Sequence, residues 1–159
     1  MIDSLTELIT PLRAQLQTVG RRQRGARALM AHYGIGELCA AIIWAELGDC
    51  RRFSRSDQAV RFTGLDITVY SSDGKRSSGR LARQGSPELR WALFEAAKAA
   101  ARTTSPDHDY YVALRDRLGG KRPALSVARK LTRRCHHTLR ALGDDAWGPV
   151  PSTAERKAA

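Results

Sequence analysis

Within the thirteen residues from Ser71 to Arg83, two adjacent serines, Ser71 and Ser72, share the chain with Lys75, Arg76, Arg80 and Arg83. A serine hydroxyl that attacks a phosphodiester needs cations to neutralise the oxygens that gain charge in the transition state, and this stretch supplies both parts. Other chemistries find less support. A serine hydrolase needs a general base, yet His32, His108, His136 and His137 stand in no recognisable relation to the serines. A metal nuclease needs clustered carboxylates. Asp107, Asp109 and Asp116 fall in one helical stretch, but the first two point to different faces, so no metal site is expected in this chain. Cys135, His136 and His137 also fail as ligands, because neighbours on a helix point about 100° apart and no second ligand pair lies at zinc spacing. On residue types alone two readings stay open: a catalytic serine, or a flexible basic loop whose arginines bind backbone phosphate.

The charge of the whole chain points the same way. Lysine and arginine number 27 against 16 acidic residues, a net charge of +11 on 159 residues. Such a balance suits a polyanion better than a metabolite, so nucleic acid, duplex DNA or structured RNA, is the expected partner. An anionic membrane surface would also attract this charge, but no apolar run approaches the roughly 18 residues of a spanning helix. Asp3 and Glu7 stand where a leader would be basic, and the odd count of three cysteines (Cys39, Cys50 and Cys135) gives no disulfide framework. A cytoplasmic protein with core thiols is expected.

Helical signals dominate the segments that must position these residues. Leu5, Leu8, Ile9, Leu12, Leu16 and Val19 recur at three- and four-residue steps, which predicts a helix of four to five turns closed by Gly20. Its apolar stripe needs a cover, either the rest of this chain or a second copy in a short coiled coil. Gly34-Ile35-Gly36 separates two helical runs beside a basic stretch, the pattern of a helix-hairpin-helix whose glycines expose amides to a phosphate; a tight turn without ligand has the same sequence. Glu37 to Leu47 is apolar nearly all round and belongs in the core. Ser56 opens a short helix to Phe62, and Phe53 is expected as a core anchor rather than a base-stacking ring. From Leu65 the pattern turns β-branched, and Asp73-Gly74-Lys75 signals a hairpin, which predicts a small β-ribbon over Leu65 to Gly85. Ser86-Pro87 and Ser105-Pro106 each start a helix. A last helix runs from Pro123 to about Leu142, with Arg129, Lys130, Arg133 and Arg134 forming a basic surface for nucleic acid. From Gly143 the Gly, Pro, Ser and Ala content predicts a frayed tail. The expected architecture is thus mainly α: a linking helix over residues 1–27, a compact helical domain with the inserted ribbon over 28–142, and a flexible tail over 143–159.

The segment Gly34 to Ala97 carries G-I-G, A-E-L-G-D, R-F, a T-G-L turn, S-S-x-G-K, a glycine five residues on, and G-x-x-x-L-R before a helix. Further on, "YYVALRDRLGGKRPALSVARKLTRRCHHTL" follows a Y-x-x-L-x-x-x-G-K segment closing on A-R-K-L. In order and spacing these resemble the C-terminal transposase domain of the DEDD-type insertion-sequence transposases, which include the Piv invertase and the bridge-RNA-guided recombinases. The resemblance implies a serine nucleophile that becomes joined to DNA, falling on Ser72 with Ser71 second. It also implies an N-terminal RuvC-like domain whose four acidic residues hold Mg²⁺, and a guide RNA in some members. Asp73 stands where the family usually has glycine, which places a negative charge beside an approaching phosphate. Because Met1 stands almost at the linking helix, the chain is expected to be part of a longer transposase or a truncated reading frame, with no cofactor of its own and no complete activity alone. A homo-oligomer is expected, and the competing expectation is a non-catalytic helix-hairpin-helix module that grips DNA or RNA through Gly34 and Gly36 and the basic surfaces.

Overall fold

The computed structural model describes residues 2–67, 71–72, 75–76, 81–82 and 84–151, and at 2, 3, 71, 72, 75 and 76 only the backbone. The chain is mainly helical. Helix α1 (Ile2–Arg22) leads into the short α2 (Arg24–Leu29), followed by α3 (Glu37–Leu47) and α4 (Ser56–Phe62). After the two short strands β1 (Ser71–Ser72) and β2 (Lys75–Arg76) come α5 (Pro87–Lys98), α6 (His108–Leu118) and α7 (Arg122–Leu142).

Two helices organise the core. Helix α3 lies against α1, α2 and α5, and α7 lies against α2, α4, α5 and α6. On α7 the buried residues Ala124, Val127, Ala128, Leu131, Cys135 and Leu139 recur at three- and four-residue steps, which makes one stripe along the helix. They meet Leu29, Ile43, Leu47, Leu65, Leu89 and Leu93, all essentially removed from water. Burying a leucine fully is worth about 1.5–3 kcal/mol, so this cluster carries most of the stabilisation. Phe53 joins it as the anchor expected: its ring sits 5.5 Å from Phe62, and the Arg52 guanidinium lies over both rings.

Local signals set most boundaries. The Ser86 hydroxyl accepts a hydrogen bond from the Leu89 amide at 3.2 Å, with Pro87 just inside the helix start. At α4 the capping residue is Arg55 rather than Ser56, and the Gln58 side chain reaches back to the Ser54 amide at 2.9 Å.

Other expectations shift. Helix α1 runs through Gly20 to Arg22, because the bare backbone at Gly20 lies against the Glu37 carbonyl, where a Cβ would approach to 2.5 Å. Helix α6 starts at His108 rather than at Pro106, after a turn in which the Ser105 hydroxyl accepts from the Asp107 amide. The stretch from Gly143, expected as a frayed tail, forms a 3-10 turn over Gly143–Trp147. It is then strapped to the break between α1 and α2, where Arg24 N–H donates to the Gly148 carbonyl and Val150 N–H donates to the Arg22 carbonyl, and to α3, where Trp44 Nε1 donates to the Ala146 carbonyl.

Much of the ribbon expected over Leu65 to Gly85 lies outside the described residues, namely 68–70, 73–74, 77–80 and 83. Among the described residues it comprises two rungs, β1 with β2, and one isolated bridge between Ile67 and Leu81.

The α1 stripe remains uncovered. Leu5, Leu8, Ile9 and Leu12 are each more than half exposed. Ile9, Leu12 and Leu16 form one wall of an apolar groove whose other wall is Leu38, Ile42 and Trp91. No helix among the described residues is long and apolar enough to cross a membrane.

Candidate functional site

The serine hairpin is held at its root. Its register pairs Ser72 with Lys75 and Ser71 with Arg76, across a two-residue Asp73-Gly74 connection that lies outside the described residues. Below it, Ile67 bridges Leu81, and the Ala82 N–H donates to the Asp66 carbonyl at 2.9 Å. The two legs converge where Gly64 and Gly85 leave room. Both have positive φ, and a Cβ on Gly64 would stand 2.0 Å from the Gln84 carbonyl oxygen while one on Gly85 would stand 2.2 Å from that of Phe62. Arg90 Nη1 then donates to the Gln84 and Gly85 carbonyls at 2.9 Å each. The hairpin therefore rises from a rigid base between α4 and α5. Of the other cations proposed for this site, Arg80 and Arg83 lie outside the described residues, and for Ser71, Ser72, Lys75 and Arg76 only the backbone position is described.

Helix α7 holds a basic set that the fold largely employs itself. Arg134 makes two hydrogen bonds to the buried Asp107 carboxylate, at 2.5 and 2.9 Å, and Lys130 Nζ reaches the same carboxylate at 2.7 Å while lying over the Tyr110 ring. Burial pushes the Asp107 carboxyl upward, but the hydrogen bonds and charges of Arg134 and Lys130 outweigh it and hold the group below its ordinary value. Arg133 donates from Nε and Nη2 to Asp57, whose carboxyl is lowered chiefly by that hydrogen bonding. Arg129, half-buried, donates from Nε to the Leu65 carbonyl at 2.6 Å, and burial draws its pKa down. Thus Lys130, Arg133 and Arg134 each have a carboxylate partner and Arg129 a carbonyl at the hairpin root. The cations without an internal partner are elsewhere. The side chains of Arg117, Lys121 and Arg122, around the turn from α6 to α7, make no hydrogen bond or ion pair among the described residues. Sequence reasoning passed over these three, although the Gly119-Gly120-Lys121-Arg122 run places two of them directly after a glycine pair.

Gly34 and Gly36 do different work from each other. Gly34 has φ +89°, and a Cβ there would meet the Ala96 carbonyl oxygen at 2.3 Å, so its missing side chain serves the packing of this turn on α5. Gly36 is the N-cap of α3, exposed, with no atom within 4 Å of where a Cβ would stand. The first turn of α3 carries Glu37, paired with Arg21 at 2.9 Å; its carboxylate already lies at the positive end of the helix, where a phosphate would otherwise be drawn.

Among the described residues no group of three or more His, Cys, Asp or Glu side chains could hold a metal ion. Cys135 and His136 are buried in the core, where burial raises the thiol pKa and lowers that of the imidazole.

Residues 26–112, more than half of the chain, match the family described as "Transposase IS116/IS110/IS902 family". The chain is 29% identical over 141 residues to a "Probable family 20 transposase" of Pseudomonas aeruginosa, which covers 89% of this chain and 42% of that protein. It is 28% identical over 128 residues to the "Transposase for insertion sequence element IS1111A" of Coxiella burnetii, covering 78% of this chain and 35% of the relative. The chain thus spans less than half the length of these curated relatives.

Proposed function

The chain belongs to the IS116/IS110/IS902 family of insertion-sequence transposases, and from that premise we propose that it is the DNA-binding, serine-bearing domain of a recombinase. Ser72 is the proposed nucleophile and Ser71 the second candidate. The reading rests on the hairpin: its register sets Ser72 opposite Lys75 and Ser71 opposite Arg76, on a base pinned by Gly64, Gly85 and Arg90. A nucleophile needs such positioning, since a reacting oxygen held in line with phosphorus avoids much of the entropic cost of a bimolecular encounter.

In the proposed step the Ser72 Oγ–P bond forms as the bond from phosphorus to the leaving deoxyribose oxygen breaks. The serine proton ends on that leaving oxygen, and one phosphate ester has replaced another. The exchange keeps the bond energy in the protein–DNA ester, ready for rejoining to a different strand. The cations of the hairpin stabilise the charge on the phosphoryl oxygens. Mg²⁺, in this reading, belongs to a separate acidic domain, while this chain contributes the serine, the cations and the grip on duplex DNA. The exposed α1 stripe and its apolar groove offer the surface on which a second copy would assemble the site.

The test uses a full-length transposase carrying this domain and a DNA substrate that traps the covalent ester. Ser72→Ala is expected to abolish the adduct while DNA affinity stays within about threefold, or roughly 0.7 kcal/mol. An undiminished adduct in both Ser72→Ala and the Ser71→Ala/Ser72→Ala pair would overturn the assignment.

A further inference from the structure

A cleft of about 330 Å³ opens beside the turn from α6 to α7, between that turn, α7 and the hairpin root. Ile67, Leu81, Leu118 and Leu125 give it aliphatic walls, and Arg122, Ser126 and Arg129 give it polar edges. Ile67 and Leu81 are the bridge partners at the foot of the hairpin, so this surface is continuous with the element that carries Ser71 and Ser72. Arg129 is committed inward to the Leu65 carbonyl, whereas Arg122 is exposed and has no partner among the described residues. Arg117 and Lys121, equally without partners among the described residues, precede it in sequence, and Gly119 and Gly120 shape the turn at φ +65° and +56°.

Three features restrict the occupant. The volume lies at the lower end of the roughly 300–1,000 Å³ that hold small ligands, too little for a helix or a second domain. The free cations repel the surface of another copy of a chain carrying +11, and favour an anion. The aliphatic walls need a flat apolar body attached to that anion, which free phosphate lacks. A nucleotide has both parts.

We propose that this cleft seats one unstacked nucleotide of the DNA strand presented to the serine hairpin, with Ile67, Leu81, Leu118 and Leu125 against base and sugar and Arg122 on the phosphate. The inference rests on the DNA-binding reading above and adds to it the site where the strand leaves its stack. Taking a base out of a duplex costs a few kcal/mol, least where the base is already unpaired. A seat of this kind therefore shows itself as a preference for DNA with one unpaired nucleotide. With aliphatic rather than aromatic walls, the seat has no stacking face to discriminate bases and should tolerate any of the four.

The experiment measures binding of this chain by fluorescence anisotropy to a short DNA duplex, to the same duplex with one bulged 2-aminopurine, and to the RNA counterparts. The chain is expected to bind the bulged DNA about tenfold tighter than the paired DNA, a difference of about 1.4 kcal/mol. Arg122→Ala and Leu125→Gln should each cut the preference to below about threefold. Arg102→Ala, which removes a partner-free cation that does not line the cleft, should leave it intact. Arg122 is exposed, so its variant keeps the test decisive even if Leu125→Gln fails to fold. Equal affinity for bulged and paired DNA, or a preference that survives in Arg122→Ala, overturns the seat and leaves DNA binding standing. A preference seen with RNA alone overturns it in favour of RNA. Absence of salt-sensitive binding to either DNA overturns the functional reading and the seat together.

Discussion

Replacing Gly34 by alanine separates packing from ligand binding at the Gly34-Ile35-Gly36 turn. An L-residue at φ +89° carries a backbone penalty of about 1–2 kcal/mol. Its Cβ would lie 2.3 Å from the Ala96 carbonyl oxygen and 2.9 Å from the Ala99 Cβ, so the turn must move off α5, an overpacking cost of about 1–3 kcal/mol. The sum, about 2–5 kcal/mol, is a large part of the 5–15 kcal/mol that typically holds a domain together. At roughly 2–4 °C per kcal/mol for a chain of this size, Tm should fall by roughly 4–20 °C. Gly36→Ser is the matched control. It meets nothing within 4 Å at φ −86°, and a serine hydroxyl at this N-cap accepts from an amide of the first turn, for a gain of about a few tenths of a kcal/mol over glycine. Urea unfolding followed by circular dichroism at 222 nm reads both. A Gly34→Ala protein with the wild-type midpoint, or a Gly36→Ser protein as damaged as Gly34→Ala, would refute the reasoning. If the pair instead existed to admit a phosphate, Gly36→Ser would weaken DNA binding with stability unchanged.

Asp107→Asn keeps the shape at the α6 start but withdraws the charge that Arg134 and Lys130 share. Because both cations are more than a third exposed, the expected loss is only about 1–2 kcal/mol by urea midpoint. The same change frees two cations, so the fall of DNA affinity with log[salt] should steepen; an unchanged slope would mean that the pair plays no part in masking α7. Acid should destabilise the fold early. Burial, and next Arg134, lowers the pKa of His32; burial lowers that of His136, with its neighbours His137 and Arg140 acting the same way and the Phe53 carbonyl opposing. The unfolded chain takes up these protons near the ordinary 6.5 while the folded chain resists, so stability falls as pH drops from 7 through 6.5 toward the lowered values. The carboxyl of Asp107, held down in the fold, contributes above its unfolded value near 3.9 and is lost only at more acid pH. Urea midpoints between about pH 7 and pH 5 should slope downward, and His32→Gln/His136→Gln should flatten that slope; an unaltered slope would place the proton uptake elsewhere.

Elements set by neighbours in the chain were legible from the residues. The apolar run Glu37 to Leu47, the Ser86-Pro87-Glu88 start of α5 and the periodic stripe of α7 lie where their local patterns put them, since capping and helical periodicity act over three to four residues. The family match over residues 26–112 contains the ordered motifs from Gly34 to Ala97.

Whether a charged or small residue faces solvent, a carboxylate or another backbone depends on groups remote in sequence, and that only the tertiary structure decided. The sequence offers Arg133 and Arg134 as cations of one basic surface, and the fold sets Asp57, 76 positions away, beside the first and Asp107 beside the second. Gly34 is required by α5, and the strap from Gly143 to Val150 by the break at Gln23, neither of which a local window contains. The α1 stripe shows the opposite case. Its pattern demanded a cover, and among the described residues most of it stays exposed, because periodicity specifies that a face is apolar and says nothing of which surface will meet it.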